Sequence, residues 1–374
     1  MSATITCSPL KRLRLAGEYA IDMIPPSGLN SESHGPRLSI CIATFNRGAF
    51  IAQTIRSILQ ELPDGVEVVI VDGASCDDTP QVIEPFLLAN SAVRYFRQTD
   101  NSGVDRDFDK SVDYARGDYC WLMSDDDILV PGAVLRVLEA LEPAPDLLVV
   151  NAQLRNADLS TELKPRLLGI TADKHYNAAS ADAFLGDIGS YLSFIGGVVI
   201  RRSRWLERHR ERYFGSLFIH VGVIFQAPLP KVSVLADPLI VIRYGNAMWT
   251  NRSFEIWMFK WPELIWSFAG LSDAAKARVV VREPWRQWKI LSQYRAMGGY
   301  TYAEYEKFFV HQRRGGLLQK IISLVPATAA NGLAALYWFF ANRRARAWFY
   351  DLARSRNSSG LARLVARILQ VPTS

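Results

Sequence analysis

The stretch CWLMSDDDIL, residues 120–129, joins a run of apolar side chains to three consecutive aspartates. A short apolar run that ends in polar residues is typical of a buried β-strand. The carboxylates of Asp125, Asp126 and Asp127 repel one another, and this repulsion lowers stability unless a positive group lies among them. The stretch therefore predicts a strand that ends at a polar site where a cation is held.

The residues around this stretch predict an α/β fold. Apolar runs typical of strands cover residues 38–45, 66–72, 93–98, 118–124 and 147–151. Helical patterns separate these runs, and Ile51, Ile55 and Ile58 in the first of them recur at the spacing of one helix face. Strands that alternate with helices in this way predict right-handed crossovers and a mostly parallel sheet with helices on both faces.

Polar loops follow four of the predicted strands. They are TFNR (44–47), DGAS (72–75), QTDN (98–101) and SDDD (124–127). Ligands of parallel sheets bind beyond the carboxyl ends of the strands, where such loops meet. Carboxylate oxygens suit Mg²⁺ or Mn²⁺, and Mg²⁺ is usually held by one or two carboxylates together with the phosphates of a substrate. The loops therefore predict a divalent ion and a nucleoside diphosphate at one edge of the sheet.

Several other chemistries lack their usual motifs in the sequence. There is no GxxxxGK[ST] loop, and no GxGxxG follows the first predicted strand, so the common cradles for ATP and for dinucleotides are missing. A GxSxG elbow is also absent, which argues against a Ser-His-Asp hydrolase. The five histidines are scattered without the spacing of a zinc site.

Four segments together resemble a family-2 glycosyltransferase of the GT-A fold. They are LSICIATFNR (38–47), VVIVDGASCDDT (68–79), DNSGVDRDFDKSVDYARGDYCWLMSDDD (100–127) and IGGVVIRRSRW (195–205). Within that family they are most similar to the abequosyltransferase-like branch, which builds lipopolysaccharide side chains. The resemblance covers roughly residues 37–245. It implies a GT-A fold, a nucleotide-sugar donor and a glycan acceptor.

The resemblance also implies roles for residues in the polar loops. Thr44 and Asn46 would lie against the nucleotide, with Arg47 of the same loop also among the donor-binding residues. Asp72 would bind the base or the ribose. Asp100 and Lys110, further along the chain, would border the donor pocket.

The three aspartates match the DxD-type element of the resembled family. That match places Asp125 on the ribose side and at the metal, Asp127 at the metal with a part in catalysis, and Asp126 at either position. A divalent ion would neutralise the carboxylates and the diphosphate leaving group, whose charge grows in the transition state. The alternative is an acidic sequence that favours the start of the helix after Pro131.

The general base is predicted less directly, because this sequence departs from the family pattern. After Gly196 and Gly197, where the family usually has an acidic pair, the segment SLFIHVGVIFQ (216–226) contains His220 as its one titratable residue. An imidazole that titrates near neutral pH can act as a base, so His220 is predicted to replace the carboxylate. The alternatives are a core histidine bonded to a backbone carbonyl and a histidine that contacts a metal or a phosphate. Asp187 is the second candidate for the base.

Composition divides the chain into three parts. Residues 1–36 predict a loose extension, 37–245 a catalytic domain, and 246–374 a mainly helical region. The net charge of +6 comes entirely from the last 32 residues, which hold seven arginines and one acid. A neutral body argues against nucleic acid, and a basic apolar tail favours an anionic membrane surface.

Two segments of the tail bear on that membrane prediction. Residues 321–342 carry no charge and are long enough to span a bilayer, although Pro326 and Gly332 interrupt the pattern. Residues 361–370 place Leu361, Leu364, Val365, Ile368 and Leu369 on one helix face, with Arg363 and Arg367 off it. Such a helix either lies in a membrane interface or packs on the core of the protein itself.

These observations predict a metal-dependent, inverting glycosyltransferase that uses Mg²⁺ or Mn²⁺. It would transfer a sugar to a hydroxyl of a cell-surface polysaccharide, including an acceptor linked to polyprenyl diphosphate. The predicted location is the cytoplasm, at the inner membrane, because the cysteines form no CxxC pair and residues 1–36 contain no continuous apolar segment. A nucleotidylyltransferase and a catalytically silent sugar-nucleotide-binding module are the alternatives.

Overall fold

The computed structural model of the chain describes residues 35–246, 248, 250–311 and 316–372. Residues 1–34 of the predicted loose extension lie outside the described residues. The first strand begins at Leu38, within one residue of the start of the predicted catalytic domain.

A single sheet forms the centre of the fold, with the strand order β3-β2-β1-β4-β9-β6-β10-β5, β7 beside β6 and β8 beside β10. The strands are β1 (Leu38–Thr44), β2 (Val66–Asp72), β3 (Val93–Arg97), β4 (Tyr119–Met123), β5 (Ile128–Leu129), β6 (Leu147–Arg155), β7 (Glu162–Lys164), β8 (Lys174–Tyr176), β9 (Val198–Arg201) and β10 (Val232–Arg243). The five strands predicted from apolar runs correspond to β1, β2, β3, β4 and β6.

The sheet is parallel in one half and mixed in the other. Strand β1 pairs in parallel with β2 and β4, and β2 pairs in parallel with β3. Strand β9 runs antiparallel between β4 and β6. The α/β fold with a central sheet and flanking helices is confirmed, while the predicted parallel arrangement holds only for part of the sheet. With four residues, β9 is too short for a periodicity that would have indicated it.

Helices cover the sheet and continue to the end of the described chain. They are α1 (Gly48–Leu59), α2 (Thr79–Ala89), α3 (Val104–Tyr114), α4 (Ala133–Ala140), α5 (Ala181–Ile188), α6 (Arg202–Leu206), α7 (Ile219–Phe225), α8 (Ser253–Glu255), α9 (Trp261–Trp266), α10 (Asp273–Val279), α11 (Trp288–Ala296), α12 (Tyr302–Tyr305), α13 (Leu317–Leu324), α14 (Ala327–Ala341), α15 (Arg346–Arg354) and α16 (Gly360–Ile368). The predicted face of α1 is confirmed, because Ile51, Ile55 and Ile58 are fully buried.

The hydrophobic core of the sheet extends beyond the predicted end of the catalytic domain. Trp261, Ile265 and Phe268 belong to the same buried cluster as the central strands. Other residues of the predicted helical region form separate small clusters, one of which contains Phe254 and Phe309. Helix α9 therefore packs as part of the core of the sheet, although the catalytic domain was predicted to end at residue 245.

The ends of β1 and β2 are held close to α3. Thr44 and Asp72, the last residues of the two strands, are partners in the ladder. A Cβ atom at Gly73 would lie 2.6 Å from Oδ2 of Asp107, so glycine at this position lets α3 approach the strand ends. The loops after β1, β2 and β4 consequently meet at one edge of the sheet.

Candidate active site

Residues 125–127, called here the aspartate cluster, occupy the loop that follows β4. The cluster is buried, since Asp126 is 6% exposed and Asp127 is 2% exposed. The Ser124 hydroxyl donates a hydrogen bond to Oδ1 of Asp126 at 2.7 Å. Three carboxylates with so little access to water require compensating hydrogen bonds or positive charge.

Arg47 supplies part of that positive charge. Its Nε donates to Oδ1 of Asp125 at 3.1 Å, and its Nη2 forms an ion pair with Oδ2 of Asp126. Its Nη1 donates to the carbonyl oxygen of Asn246 at 3.2 Å. The guanidinium also lies 4.9 Å from the centre of the Phe50 ring, a favourable cation–π distance. The cation predicted among the carboxylates is thus, in part, an arginine of the chain itself.

Arg243, the last residue of β10, fixes the other side of the aspartate cluster. Its backbone N–H donates to Oδ1 of Asp127 at 2.9 Å, and its Nε donates to the carbonyl oxygen of Asp126 at 3.0 Å. Its Nη1 donates to the carbonyl oxygen of Ala157 at 2.8 Å. Because its side chain bonds the backbone of the loop, Arg243 holds the cluster in place more than it neutralises the carboxylates.

Positive charge from the two arginines does not fully compensate the cluster. Burial raises the pKa of Asp125 to about 6, although the charge of Arg47 acts in the opposite direction. Burial also raises the pKa of Asp127 well above its usual value, and the negative charge of Asp126 raises it further. A further cation beside Asp127 would favour its ionised form.

The loop after β1 is tied to the loop after β2 through Asn46. This residue has a φ of 54°, a left-handed conformation that asparagine tolerates better than most residues. Its Oδ1 accepts a hydrogen bond from the backbone N–H of Cys76 at 2.7 Å, and its own N–H donates to Oγ of Ser75 at 2.9 Å. Thr44 is buried at the end of β1 beside this loop. The side chains predicted to contact the nucleotide therefore lie together.

Asp72 is fully buried and organises the same edge from β2. Its Oδ1 accepts a hydrogen bond from the backbone N–H of Ser75 at 2.7 Å. Its Oδ2 accepts one from the Tyr95 hydroxyl at 2.6 Å. Burial raises the pKa of Tyr95, and this hydrogen bond raises it further. A contact from Asp72 to a base or ribose would use the remaining lone pairs of these oxygens.

Lys110 and Asp100 lie further along the same edge. The Lys110 ammonium donates to Oε1 of Gln98 at 2.5 Å and to Oγ of Ser102 at 3.4 Å. Asp100 is exposed, and its Oδ1 accepts a hydrogen bond from the Thr99 hydroxyl at 2.9 Å. Both residues lie beside the loop after β3, and their role at a donor pocket stays a prediction.

Asp107 lies at the same edge of the sheet and is not among the residues predicted from the sequence. It lies on α3, is buried, and accepts a hydrogen bond from Oγ of Ser102 at 3.1 Å. Burial raises its pKa to about 6, while the nearby charge of Lys110 lowers it. The available signal was the spacing of Asp107 and Lys110, three residues apart on one helix face.

His220 lies in the core and not at the edge of the sheet. It is 1% exposed, every residue of α7 around it is buried, and its Nε2 lies 2.7 Å from the carbonyl oxygen of Leu192. Burial lowers its pKa to about 4, so the imidazole is neutral at neutral pH. An acceptor hydroxyl would need direct access to a general base. This geometry disagrees with the predicted catalytic role and agrees with the alternative of a core histidine bonded to a backbone carbonyl.

The burial of His220 follows from how α7 is attached. The carboxylate of Asp105, on α3, accepts hydrogen bonds from the backbone N–H groups of Leu217 at 2.9 Å and Ile219 at 3.1 Å. These bonds hold the start of α7 against α3. An apolar strip with one imidazole is consistent with both a buried helix and an active-site wall, and the sequence alone did not distinguish them.

Asp187, the second candidate for the base, is engaged in surface ion pairs. Arg278 lies 2.6 Å and Lys174 lies 3.5 Å from its carboxylate oxygens, and the Tyr176 hydroxyl donates to it at 2.9 Å. Although partial burial opposes the change, these hydrogen bonds and charges lower the pKa of Asp187. A carboxylate with a lowered pKa and three partners is a poor proton acceptor.

The fold and the site define a class of enzyme once known proteins are compared. Residues 39–194 match the family described as Glycosyl transferase family 2. The fold also resembles that of S. aureus TarS 1–349 in complex with UDP, with a TM-score of 0.50 and 14% identity over 90% of this chain and 88% of that chain. The protein is a glycosyltransferase with the GT-A fold.

Two curated relatives indicate a narrower group. Abequosyltransferase RfbV of Salmonella typhimurium is 27% identical over 223 residues, which cover 56% of this chain and 67% of that protein. GalNAc(5)-diNAcBac-PP-undecaprenol beta-1,3-glucosyltransferase of Campylobacter jejuni is 29% identical over 105 residues, which cover 28% of this chain and 34% of that protein. The resemblance predicted from the sequence motifs is confirmed by these relatives.

Enzymes with this fold commonly use divalent metal ions, so the aspartate cluster was tested as a metal site. Within the described residues, 35–246, 248, 250–311 and 316–372, no group of three or more His, Cys, Asp or Glu side chains is arranged to hold an ion. The donor chemistry nevertheless fits Mg²⁺ or Mn²⁺, because one or two carboxylates suffice where substrate phosphates complete the shell. The raised pKa of Asp127 marks it as the carboxylate with most to gain from an added cation. Asp125 and Asp126 could bind one only if Arg47 released them.

Proposed function

We propose that this glycosyltransferase moves a sugar from a nucleoside-diphosphate sugar to a hydroxyl of a cell-surface polysaccharide, including a lipid-linked acceptor. The observation that carries the proposal is the aspartate cluster with Arg47 at the carboxyl ends of β1 and β4. In α/β sheets this edge is where ligands bind. The relatives support the acceptor class, since the names of two of them specify abequose transfer and an undecaprenol-linked glycan.

The nucleotide would bind between the loops that follow β1 and β2. Thr44, Asn46 and Asp72 lie there, and Lys110 with Asp107 would form the wall beside β3. The diphosphate would then face the aspartate cluster. A guanidinium fork that binds carboxylates matches phosphate oxygens equally well, so Arg47 could exchange its partners for the diphosphate when the donor enters.

Transfer would form a bond from the acceptor oxygen to the anomeric carbon, break the bond from that carbon to the diphosphate oxygen, and release the proton of the acceptor hydroxyl to solvent. The inverting course implied by the resemblance is part of this proposal. Bound at Asp127, Mg²⁺ or Mn²⁺ would neutralise charge that grows on the leaving diphosphate. Arg47 would add fixed positive charge at the same place, and burial would strengthen that interaction by excluding water.

The experiment has two stages. First, the shift in melting temperature of the full chain is measured with UDP-, GDP-, CDP- and dTDP-sugars, with Mn²⁺ or with EDTA, because a ligand that binds only the folded state raises that temperature. Second, release of free nucleoside diphosphate is measured with and without acceptor glycan. We expect one nucleotide to stabilise the protein, more strongly with Mn²⁺, and its diphosphate to be released only with acceptor.

Other outcomes would identify the alternatives. A nucleotidylyltransferase would join a nucleoside triphosphate to a sugar phosphate and release pyrophosphate. A silent binding module would be stabilised by a sugar nucleotide without releasing anything when acceptor is added. Stabilisation that is the same with Mn²⁺ and with EDTA would contradict the metal-dependent part of the proposal.

A further inference from the structure

The C-terminal helices turn large apolar side chains toward solvent. On α14 these are Leu333, Leu336, Tyr337 and Phe340, of which Leu333 is 68% and Phe340 73% exposed. Their spacing of i, i+3, i+4 and i+7 places all four on one face of the helix. Single exposed apolar residues are common on protein surfaces, but a continuous row is a feature of interaction sites.

The opposite face of α14 packs on the protein, and it includes the partly buried Trp338 and Phe339 as well as smaller residues. Asn331, Gly332 and Ala335 are buried there, and Nδ2 of Asn331 donates to the carbonyl oxygen of Ala296 at 3.1 Å. A surface helix ordinarily turns its large apolar residues to the core and its polar residues outward. Helix α14 departs from this arrangement, because it also turns a row of large apolar side chains toward solvent.

Helix α16, which contacts α14, also leaves large apolar side chains exposed. Its buried face holds Ala362, Val365 and Ala366, while Leu364 and Ile368 are more than half exposed. The sequence predicted that Val365 shares a helix face with Leu361 and Leu364. That face was expected either to lie in a membrane interface or to pack on the core of the protein. In the structure the helix packs on the protein through its smaller residues and leaves its larger apolar side chains outside.

The exposed apolar residues of α13, α14 and α16 form one surface, called here the outer apolar face. Helices α14 and α16 are in contact, and a Cβ atom on Gly332 would lie 3.9 Å from Cδ2 of Leu361. Helix α13 precedes α14 at a 95° bend, with Ile321 and Leu324 both more than half exposed. In the described part of the chain no one helix has the length and apolar composition to cross a bilayer, and α13 with α14 meets that test only as a bent pair.

The charge around the outer apolar face is positive. Residues 316–372 contain eight lysines and arginines and a single acid, Asp351. That carboxylate is not available at the surface, because it is largely covered and accepts a hydrogen bond from the Tyr244 hydroxyl at 2.6 Å. Lys320 of α13 and Arg363 and Arg367 of α16 are exposed on helices that contribute to the outer apolar face. Basic residues beside exposed apolar residues complement an anionic lipid surface.

We propose that the outer apolar face docks onto the surface of a membrane that contains anionic lipid. The apolar side chains would enter the boundary between headgroups and acyl chains, and the basic side chains would pair with lipid phosphates. The inference rests on exposure and charge in the C-terminal helices and does not depend on the donor or metal proposed for the active site. A lipid-linked acceptor would, however, be presented at this same surface.

The test uses the full chain and sedimentation with vesicles. One vesicle preparation is phosphatidylcholine alone, and the other is a three-to-one mixture of phosphatidylcholine and phosphatidylglycerol. The variant Phe340→Ser with Leu364→Ser removes two members of the outer apolar face. The matched control is Leu88→Ser on α2, which changes an apolar side chain that is 84% exposed elsewhere. Because all three positions are exposed, these variants are expected to fold, and their melting temperatures verify it.

We expect the protein to sediment with the mixed vesicles and about tenfold less with phosphatidylcholine alone, because each nearby basic residue gains from anionic lipid. The double variant should bind the mixed vesicles at least about tenfold more weakly, and Leu88→Ser should bind like the unmodified protein. The proposal would be overturned if the unmodified protein bound both vesicle preparations equally. It would also be overturned if the double variant and Leu88→Ser bound the mixed vesicles equally. A dimer that the double variant dissociates while vesicle binding is absent would overturn it too, since the face would then join two copies of the chain.

Discussion

The aspartate cluster and the outer apolar face both depart from the usual placement of side chains, in opposite ways. The cluster buries carboxylates, and the face exposes leucines and a phenylalanine. The chain compensates the first departure from within, because Arg47 and Arg243 contact the buried loop. Among the described residues nothing covers the second. The buried charge of the aspartate cluster is only partly balanced, which indicates a site that admits a ligand. The outer apolar face is left uncovered by the chain, which indicates a partner outside the chain.

The largest effect should come from removing one charge of the aspartate cluster. Asp127→Asn keeps the shape of the side chain but removes the carboxylate, so turnover should fall by about 10²–10³-fold. Acceptor-dependent release of nucleoside diphosphate measures this. Asp237→Asn is the control, since Asp237 is exposed and its nearest arginine nitrogen is 3.5 Å away. Turnover above half the normal rate in the Asp127 variant would separate the cluster from catalysis.

The internal compensation can be broken at Arg47. Arg47→Ala would leave two buried carboxylates without their cation, so we expect the free energy of unfolding to fall by about 3–5 kcal/mol. Urea unfolding measures the change, and Arg56→Ala, at an exposed position of α1, is the control. Should Arg47→Ala be as stable as Arg56→Ala, the ion pairs with Asp125 and Asp126 would not be what stabilises the cluster.

The single acid of the C-terminal helices should make stability depend on pH. Burial raises the pKa of Asp351 to about 6 from 3.8, although the hydrogen bond from Tyr244 opposes this. The folded state therefore binds the proton more tightly than the unfolded state, and this contribution to stability is present below pH 4 and lost as pH rises to about 6. The loss is at most about 3 kcal/mol. Unfolding at pH 4, 5, 6 and 7 should show a flatter profile for Asp351→Asn, and parallel profiles would contradict the shift.

The smallest effect on chemistry is expected at His220. His220→Ala should lower the free energy of unfolding by about 1–3 kcal/mol, because it leaves a cavity and an unpaired carbonyl of Leu192. Turnover per folded molecule should stay within about threefold of normal, far less than the loss expected when a general base is removed. A turnover loss of 10²-fold in a variant that remains folded would restore His220 as the base.

Sequence reasoning located the edge of the sheet but not the counter-charge within it. The strands before Thr44, Asp72 and Asp125 were readable because each is a continuous apolar run followed by polar residues. The pairing of Arg47 with residues 78 and 79 positions away was not readable, because no local pattern links an arginine to a distant carboxylate.

The outer apolar face was only partly predictable for a different reason. Periodicity shows which residues share a face but not which face turns to the core when both are apolar. In α16 the buried Ala362 and Val365 and the exposed Leu364 are all apolar, so the orientation depends on how closely α14 can approach. Small residues allow that close approach, and the larger ones are left outside.

The most direct test of the site is a measurement of affinity for a nucleoside diphosphate by titration calorimetry. The full chain is compared with its Arg47→Lys and Arg56→Lys variants. Lysine keeps the charge of Arg47 but loses the fork that can hold either the carboxylates or the diphosphate. If the aspartate cluster and Arg47 receive the donor, Arg47→Lys should weaken binding by about tenfold or more, and Arg56→Lys should leave it unchanged. Equal affinities in the two variants would contradict this placement of the donor.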